Sequence, residues 1–485
     1  MKFSLISITA LIAYLLLVFL PLGIAHNLSL PERPFADQLS SALAILGFNI
    51  ILLEFLSTGR IKALSTFLGV DWVLQVHQLF ARTAVIFLAI HPFIYTLPNR
   101  AIYAPGPPDE THLGLIGPSF TTGVMGLLLL AVLIGLAVTR NTSQIKYETW
   151  RFSHALMAVA IALLGFHHTS HAGRFAQEPM MLLYWQCALA IALASVAWVY
   201  LIRPFTQRWQ PYQVSSVREV AHKIYELNIQ SKNNQHLSYK AGQFAWIKLF
   251  NSRPLFENPF SISSAPQKSS SSTIQFLIKD VGDFTHQVTQ LQAGDLLYLD
   301  APYGNFGHTA ANNPQEALVL IAGGAGIAPI ISILRSFIAG KPAPLEKPIL
   351  LIYGNRLEDQ MVHLNDMMDL HLFKQLSIQA IVTEPYNQWT GLSGVMNTEN
   401  LRKACQVFTE KNIDLKKAQF LVCGPTEMID AVERSLAEMD ISLNQIESEK
   451  FQYDFSQNNA RNRLSLILMS LSSCALIASA VYLAK

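Results

Sequence analysis

Six apolar runs, each about as long as a bilayer core is thick, fill residues 4 to 203 and decide most of what this chain can become. They lie near 4–25, 39–57, 73–96, 118–138, 149–168 and 179–202. A span needs about 20 apolar residues to cross a ~30 Å hydrocarbon core, and in lipid the backbone must satisfy its own hydrogen bonds, so runs of this kind predict helices. Hydrophobic residues make up 51% of the chain and charged residues 14%, against roughly a quarter charged in soluble domains. The excess is uneven: residues 208–460 have ordinary globular composition, and 464–483 are apolar again. At 485 residues the chain has room for two to four domains of ~100–200 residues. A net charge of +2 and no basic cluster interleaved with aromatics exclude a nucleic-acid partner. Four cysteines without a C-x-x-C spacing give no disulfide framework and no zinc site, so the soluble part belongs in a reducing compartment.

Basic residues in short loops set the orientation. Arg60, Lys62, Arg140, Lys146, Arg151, Arg203 and Arg208 fall on one side, whereas Arg33, Arg100 and Arg174 on the other are offset by Glu32, Asp37, Asp109, Glu110 and Glu178. The basic side is therefore read as cytoplasmic, and the globular half hangs there. The first run also fits a signal peptide, and the later topology is the same in either case. The last run, after Arg461 and Arg463, reads as a seventh span over 461–485, with a surface-lying or partner-packing helix as the alternative.

The third run, VHQLFARTAVIFLAIHPF at its core, carries His77 and His91 fourteen residues apart; the fifth carries His154, His167 and His168, with His171 just beyond. Fourteen residues on a helix leave two side chains about 40° apart in angle and ~21 Å apart along the axis, so they share a face. Runs three and five cross in the same direction, so His77 pairs with His154 near the cytoplasmic side, and His91 with His167 or His168 near the other. Intramembrane polar groups are functional by default, and a pair of neutral imidazoles suits the two axial positions of a haem iron, favouring electron transfer over oxygen binding. On an ideal helix the spacing to His168 matches the partner helix; His167 would be rotated by ~140° unless a π-bulge intervened.

From Gln213 to about Phe306 short alternating segments (YELNIQ, QFAWIKL, TIQFLIK, DLLYLD) predict a small antiparallel β-barrel. From Ala317 the pattern becomes strand, glycine turn, helix (ALVLIAGGAGIAPIISILRSFI). Gly323, Gly324 and Gly326 let backbone amides approach a pyrophosphate at a helix start, although a plain tight βα turn uses the same residues. The strands PILLIYGN, IQAIVTE and QFLVCGP alternate with helical stretches, giving a doubly wound α/β sheet with ligand loops at the strands' C-terminal ends.

Taken together, the histidine spacing and the order of the parts resemble the membrane NAD(P)H oxidase and ferric reductase superfamily of prokaryotic type, over roughly residues 35 to 454. The resemblance implies a multidomain chain: an α-helical transmembrane haem domain (1–205), an antiparallel β-barrel FAD domain (209–307), a doubly wound NAD(P) domain (314–456) and an additional C-terminal transmembrane helix (461–485). ENPFSISS looks like the family's flavin motif, which implies that Asn258, Pro259, Phe260, Ser261 and Ile262 hold the flavin, with Phe260 facing the ring, Ser261 near the flavin N5 and Asn258 where the family has a basic residue for a pyrophosphate or ribityl contact. VGDFTHQV resembles the pyrophosphate loop, implying Gly282, Asp283, Phe284 and Thr285. IESEKFQYD resembles the closing Glu-x-aromatic element, implying that Phe451 stacks on the flavin; an edge-strand core residue is the alternative. The resemblance also implies that Cys423, Gly424 and Pro425 border the hydride-transfer site, and that Arg356 meets the adenosine 2′-phosphate unless it is a plain surface arginine. By position, Arg82, Trp150 and Arg151 lie near the His77 or His154 level, where they would meet haem propionates; snorkelling to the cytoplasmic face is the alternative.

The expected activity is electron transfer from cytosolic NAD(P)H through FAD and two haems b to an acceptor across the plasma membrane, either oxygen or a ferric or cupric chelate. The competing expectation is an electron-supply subunit that feeds a partner protein or quinone, with the seventh span as its docking helix.

Overall fold

The computed structural model describes residues 5–28, 30, 34–95, 118–139, 145, 147–207, 210–233, 235–250, 257–266, 273–308, 317–339, 347–386 and 389–449. Phe451, the seventh run (461–485), the outer loop around residues 97–114, and Arg33, Arg140, Lys146 and Arg208 lie outside the described residues. The described residues divide into two compact units: one within residues 5–61 and 73–203, the other within residues 62–72 and 204–449.

The first unit is helical. Helices α1 (Leu5–His26) and α2 (Phe35–Leu53) come first; the short α3 (Lys62–Leu68) follows in the connection to α4 (Val70–Tyr95); then come α5 (Pro118–Val138), α6 (Tyr147–Ala172) and α7 (Pro179–Ala197). α7 passes through a π-helical turn, Trp198–Ile202, into α8 (Arg203–Gln207). Six of these helical stretches are long and apolar enough to cross a membrane, and they coincide with the six runs. Their outward-facing residues are apolar, including Leu16, Ile86, Leu128, Leu156 and Leu183, each about half exposed or more, as expected where lipid and not water is the solvent. Small residues set the close approaches: a Cβ at Gly47 would meet Leu88, one at Gly165 would meet Phe48, and one at Gly123 would meet the imidazole of His168 at 2.6 Å.

The second unit holds two sheets. β1 (Pro211–Ala221), β2 (Ile224–Ser231), β3 (Phe244–Leu249), β4 (Asn258–Ser261), β5 (Ile274–Lys279) and β6 (Leu296–Tyr303) form an antiparallel sheet of order β4-β3-β6-β1-β2-β5. Its two edges meet just beyond the ladder, at one bridge between Ile262 and Phe276. The helix α9 (Asp283–Thr289) lies between β5 and β6. The second sheet is wholly parallel: β7 (Ala317–Gly323), β8 (Ile349–Asn355), β9 (Leu376–Val382), β10 (Leu392–Ser393), β11 (Ala418–Cys423) and β12 (Ile446–Glu449), in the order β10-β9-β8-β7-β11-β12. Helices α10 (Ile327–Ile338) and α11 (Leu364–Met367) pack on one face with Leu318, Leu320 and Leu351. On the other face α12 (Thr398–Glu410) and α13 (Thr426–Glu438) pack with Val319, Ile321 and Leu350. The central strands β7, β8 and β11 are buried along their whole length and read as mostly apolar runs for that reason.

The two sheets share a core, since Ile224, Leu277 and Phe306 of the antiparallel part pack into the cluster built on α10. A polar latch reinforces the junction. Arg335 of α10 donates to Ser263 O (3.0 Å), to Gln275 Oε1 (2.6 Å) and twice to Met367 O (3.1 and 2.6 Å), and Ser332 Oγ donates to Ser264 O at 2.7 Å. Helix α3 also belongs to this unit: Lys62 pairs with Asp300 at 3.1 Å, donates to Ala301 O and lies over the Tyr303 ring.

Candidate functional site

In the helical unit, α4 presents His77 and His91, and α6 presents His154, His167 and His168. His77 and His154 are electrostatic neighbours, as are His91 and His168. The sequence left two candidates opposite His91, and here α6 is α-helical without a break from Tyr147 to Ala172, with no bulge to turn His167 inward. His167 instead hydrogen-bonds to Thr122 Oγ1 at 3.1 Å and stacks on His171 at 4.3 Å. Of the two, His168 is the electrostatic neighbour of His91, while His167 is engaged by Thr122 and His171.

Ring nitrogens on α4 are already assigned. His77 Nδ1 lies 2.7 Å from the Glu54 carboxylate, and His91 Nδ1 lies 2.8 Å from Leu88 O. Both partners accept only, so both rings carry the proton on Nδ1 and keep a lone pair on Nε2. His154 keeps Nδ1 buried without a hydrogen-bond partner, and its ring packs on Trp150 with centroids 5.2 Å apart. Two imidazoles at each of two levels are the donor set that a six-coordinate haem iron takes, so the residues present fit that group. Among the described residues no three or more His, Cys, Asp or Glu side chains gather as a metal site, and a haem needs only pairs. Trp150 differs from expectation: its indole N–H donates to Leu136 O at 3.2 Å. Arg151 lies with its guanidinium 5.8 Å from the Tyr200 ring, and Arg82 is exposed on α4.

In the second unit, Asn258, Pro259, Phe260 and Ser261 form β4, half exposed along its length, while Ile262 is fully buried. Phe260 stacks on Phe284 at 5.8 Å and 19°, so the flavin-like motif and the pyrophosphate-like loop, far apart in sequence, meet. Gly282 has extended backbone, and a Cβ there would meet nothing within 4 Å. Neither conformation nor packing inside the protein asks for glycine at this position, which fits a backbone approached from outside. Thr285 differs from expectation. Its Oγ1 accepts from the backbone N–H of Val281 and Gly282, both at 2.9 Å, and donates to Gly282 O. The hydroxyl ties its own loop at the start of α9, as polar residues near helix starts tend to do, and Asp283 and Phe284 are left as the outward part of the motif.

The parallel sheet reverses its strand order between β7 and β11, the switch point where doubly wound sheets bind ligands. Both predicted glycine turns end there. Gly324 has φ +54, a conformation that favours glycine. A Cβ at Gly326 would meet Cys423 O at 2.4 Å and Gly424 N at 2.7 Å; one at Gly323 would meet Met428 Sδ at 2.1 Å; one at Gly424 would meet the Gly323 Cα at 3.2 Å. The GGAG turn and the Cys423-Gly424-Pro425 turn thus touch backbone to backbone. Arg356, just past β8, is exposed and pairs with Glu384 at 2.9 Å; the carboxylate competes for whatever the guanidinium would bind.

Cys423 is buried, and burial first, then Glu449 and Asp71, push its thiol well up. That shift disfavours the thiolate form. Glu449, paired with Cys423 across β11 and β12, is 6% exposed; burial, Asp71 and Glu447 hold its carboxyl well above the usual range. Neither Glu449 nor Glu54 is among the residues expected above. Both were open to view, Glu449 as the acid of the Glu-x-aromatic element and Glu54 as an acid within an apolar run.

Residues 43–165 match the family described as ferric reductase like transmembrane component, residues 208–326 an FAD-binding domain, and residues 320–434 an oxidoreductase NAD-binding domain. Human cytochrome b5 reductase 4 is 27% identical over 247 residues, which are 49% of this chain and 46% of that protein. The gamma subunit of sulfhydrogenase 2 from Pyrococcus furiosus is 28% identical over 232 residues, 46% of this chain and 76% of that one. The chain spans about half the length of the first curated relatives it matches. Among solved structures, the ferredoxin reductase in carbazole 1,9a-dioxygenase is similar at a TM-score of 0.42 and 23% identity, over 50% of this chain and 69% of that one.

Proposed function

We propose, from the premise that this chain has the architecture of the ferric reductase / NADPH oxidase-like superfamily, that it carries electrons from NAD(P)H across the membrane through FAD and two bis-histidine haems b. It is a membrane flavoprotein of the NAD(P)H-dependent oxidoreductases; the haem relay, the acceptor and the working division into 1–205, 209–307, 314–456 and 461–485 are our reading. The observation that carries it is the two histidine pairs, His77 with His154 and His91 with His168, on two continuous helices. When bound, FAD supplies the conversion between a two-electron hydride donor and one-electron haem acceptors.

The chain's own residues do the placing. The switch-point glycines Gly323, Gly324, Gly326 and Gly424 admit the dinucleotide against the backbone, with Cys423 as a small, neutral, apolar floor. Ser261 and Phe260 on β4 hold the flavin ring, and Asp283 and Phe284 its phosphate end; Phe451, outside the described residues, is assigned to stacking on the ring by the resemblance alone. Arg335 and Ser332 clamp the two sheets so that donor and flavin keep one geometry. The ~21 Å helix rise between His77 and His91 divides a ~30 Å core into shorter steps. The pairing of Lys62 with Asp300 in the flavin-bearing unit supports a cytoplasmic location for that unit, because Lys62 also lies in the basic loop between spans two and three.

The acceptor is oxygen or a ferric or cupric chelate at the outer haem edge. An electron-supply role is the second reading, favoured by the similarity to a protein named as a subunit of a sulfhydrogenase. Haem-loaded full-length protein tests the proposal. NADPH oxidation is followed in air with cytochrome c, with and without superoxide dismutase, then anaerobically with ferric chelate. A bis-histidine spectrum with two haems per chain is expected, and its absence defeats the haem relay. Turnover only with ferricyanide would favour a partner-dependent subunit.

A further inference from the structure

Glu54 caps the C-terminal end of α2 and is 5% exposed. A carboxylate inside an apolar bundle is costly unless it is partnered and put to use. Two helices partner it: Tyr14 of α1 donates its hydroxyl to Oε1, and His77 of α4 places Nδ1 2.7 Å from Oε2. The corresponding histidine one level away on the same helix, His91, meets only the neutral carbonyl of Leu88, at 2.8 Å. The two Nδ1 positions therefore differ in one respect: a carboxylate stands at one and a peptide dipole at the other.

Resting on the haem reading above, we propose that Glu54 is a positioning residue for His77, fixing its Nδ1–H so that Nε2 is kept for the iron, and that it sets the inner haem at a lower potential than the outer. A carboxylate partner orients a ligating imidazole and raises its basicity. A more basic ligand stabilises the ferric state, so the inner iron is the harder of the two to reduce. Tyr14 moderates this by sharing the carboxylate. The consequence is a built-in downhill direction, from the His77 level to the His91 level.

The test is a reductive potentiometric titration of the full, haem-loaded chain in nanodiscs, following the Soret and α bands. The inner couple is identified as the one lost in His77→Ala. Glu54→Gln keeps an acceptor but removes the charge. It is expected to ease reduction of the inner couple about tenfold, ~59 mV for one electron, and to leave the outer couple in place. Tyr14→Phe concentrates the carboxylate on His77 and is expected to move the same couple the opposite way. A merely structural role would move neither potential, or would move both together. Unchanged potentials in both variants, or equal shifts of both couples, overturn the proposal. If Glu54→Gln loses the inner haem, Tyr14→Phe alone decides: a fall in the inner potential supports the proposal and no change overturns it. Fewer than two haems in the wild-type chain would instead overturn the haem reading itself.

Discussion

Gly326→Ala separates the packing role of the glycine turn from its conformation. The backbone at Gly326 has φ −62, which alanine adopts without strain. The added methyl carbon, however, would stand 2.4 Å from Cys423 O, 2.6 Å from its carbonyl carbon and 2.7 Å from Gly424 N. These are main-chain atoms, so no rotamer change relieves the overlap, and the two turns must part by about 1 Å. Overpacking of this kind costs about 1–3 kcal/mol, and a shift of ~1 Å at a reacting centre costs up to roughly 100-fold in rate. Flavin reduction by NADPH and NADH, measured anaerobically by stopped flow, is expected to slow by 10- to 100-fold while FAD content and haem spectra stay normal. Gly282→Ala is the control, because its Cβ meets open space; its stability should stay within about 0.5 kcal/mol of wild type. Gly326→Ala with wild-type flavin reduction and wild-type stability would refute the account of the switch point.

His168→Ala should lose one haem of two and His167→Ala none, read from pyridine haemochrome stoichiometry; the reverse pattern would mean that α6 is rotated from the arrangement described. Glu384→Gln should release Arg356 from its 2.9 Å partner and raise the NADPH-over-NADH ratio of kcat/KM, whereas Arg356→Ala should lower it; a ratio unmoved in both variants makes Arg356 a surface arginine. Burial, Asp71 and Glu447 raise the Glu449 carboxyl above its unfolded value, so at low pH both states are neutral and nothing is lost. As pH climbs through the ordinary carboxylate range the unfolded state ionises first, and stability falls until the folded value is reached. Thermal unfolding should therefore find Glu449→Gln more stable than wild type at pH 8, with the advantage vanishing near pH 4; an advantage independent of pH would count against a neutral, buried Glu449.

Helix period and bilayer thickness are strong constraints, so the spans were legible from spacing alone. The rotation angle that favours His168 over His167 holds for an unbroken helix, and α6 is one. Glycine turns could be located but not explained: that Gly326 packs on the Cys423 carbonyl follows from β7 lying beside β11, which no local pattern encodes. Thr285 was not legible in this respect: a hydroxyl near a helix start can serve a ligand or its own loop, and sequence does not distinguish the two. Lys62 looked like a loop charge, and its pairing with buried Asp300, 238 positions along the chain, is a tertiary fact.

The Arg335 latch has a consequence for how such chains can diverge. Apart from Gln275, every group that accepts from Arg335 or Ser332 is a main-chain carbonyl: Ser263 O, Ser264 O and Met367 O. A carbonyl is indifferent to the side chain beside it, so the loop after the flavin motif and the α11 segment are free to drift in identity while their backbone path is kept. The donors have no such latitude, because only a guanidinium spans three acceptors in one plane. A chimaera that grafts a foreign nicotinamide half onto this flavin half should thus need Arg335 and Ser332 inherited along with an apolar surface that fits Ile224, Leu277 and Phe306, while the residues that lend only a carbonyl can differ.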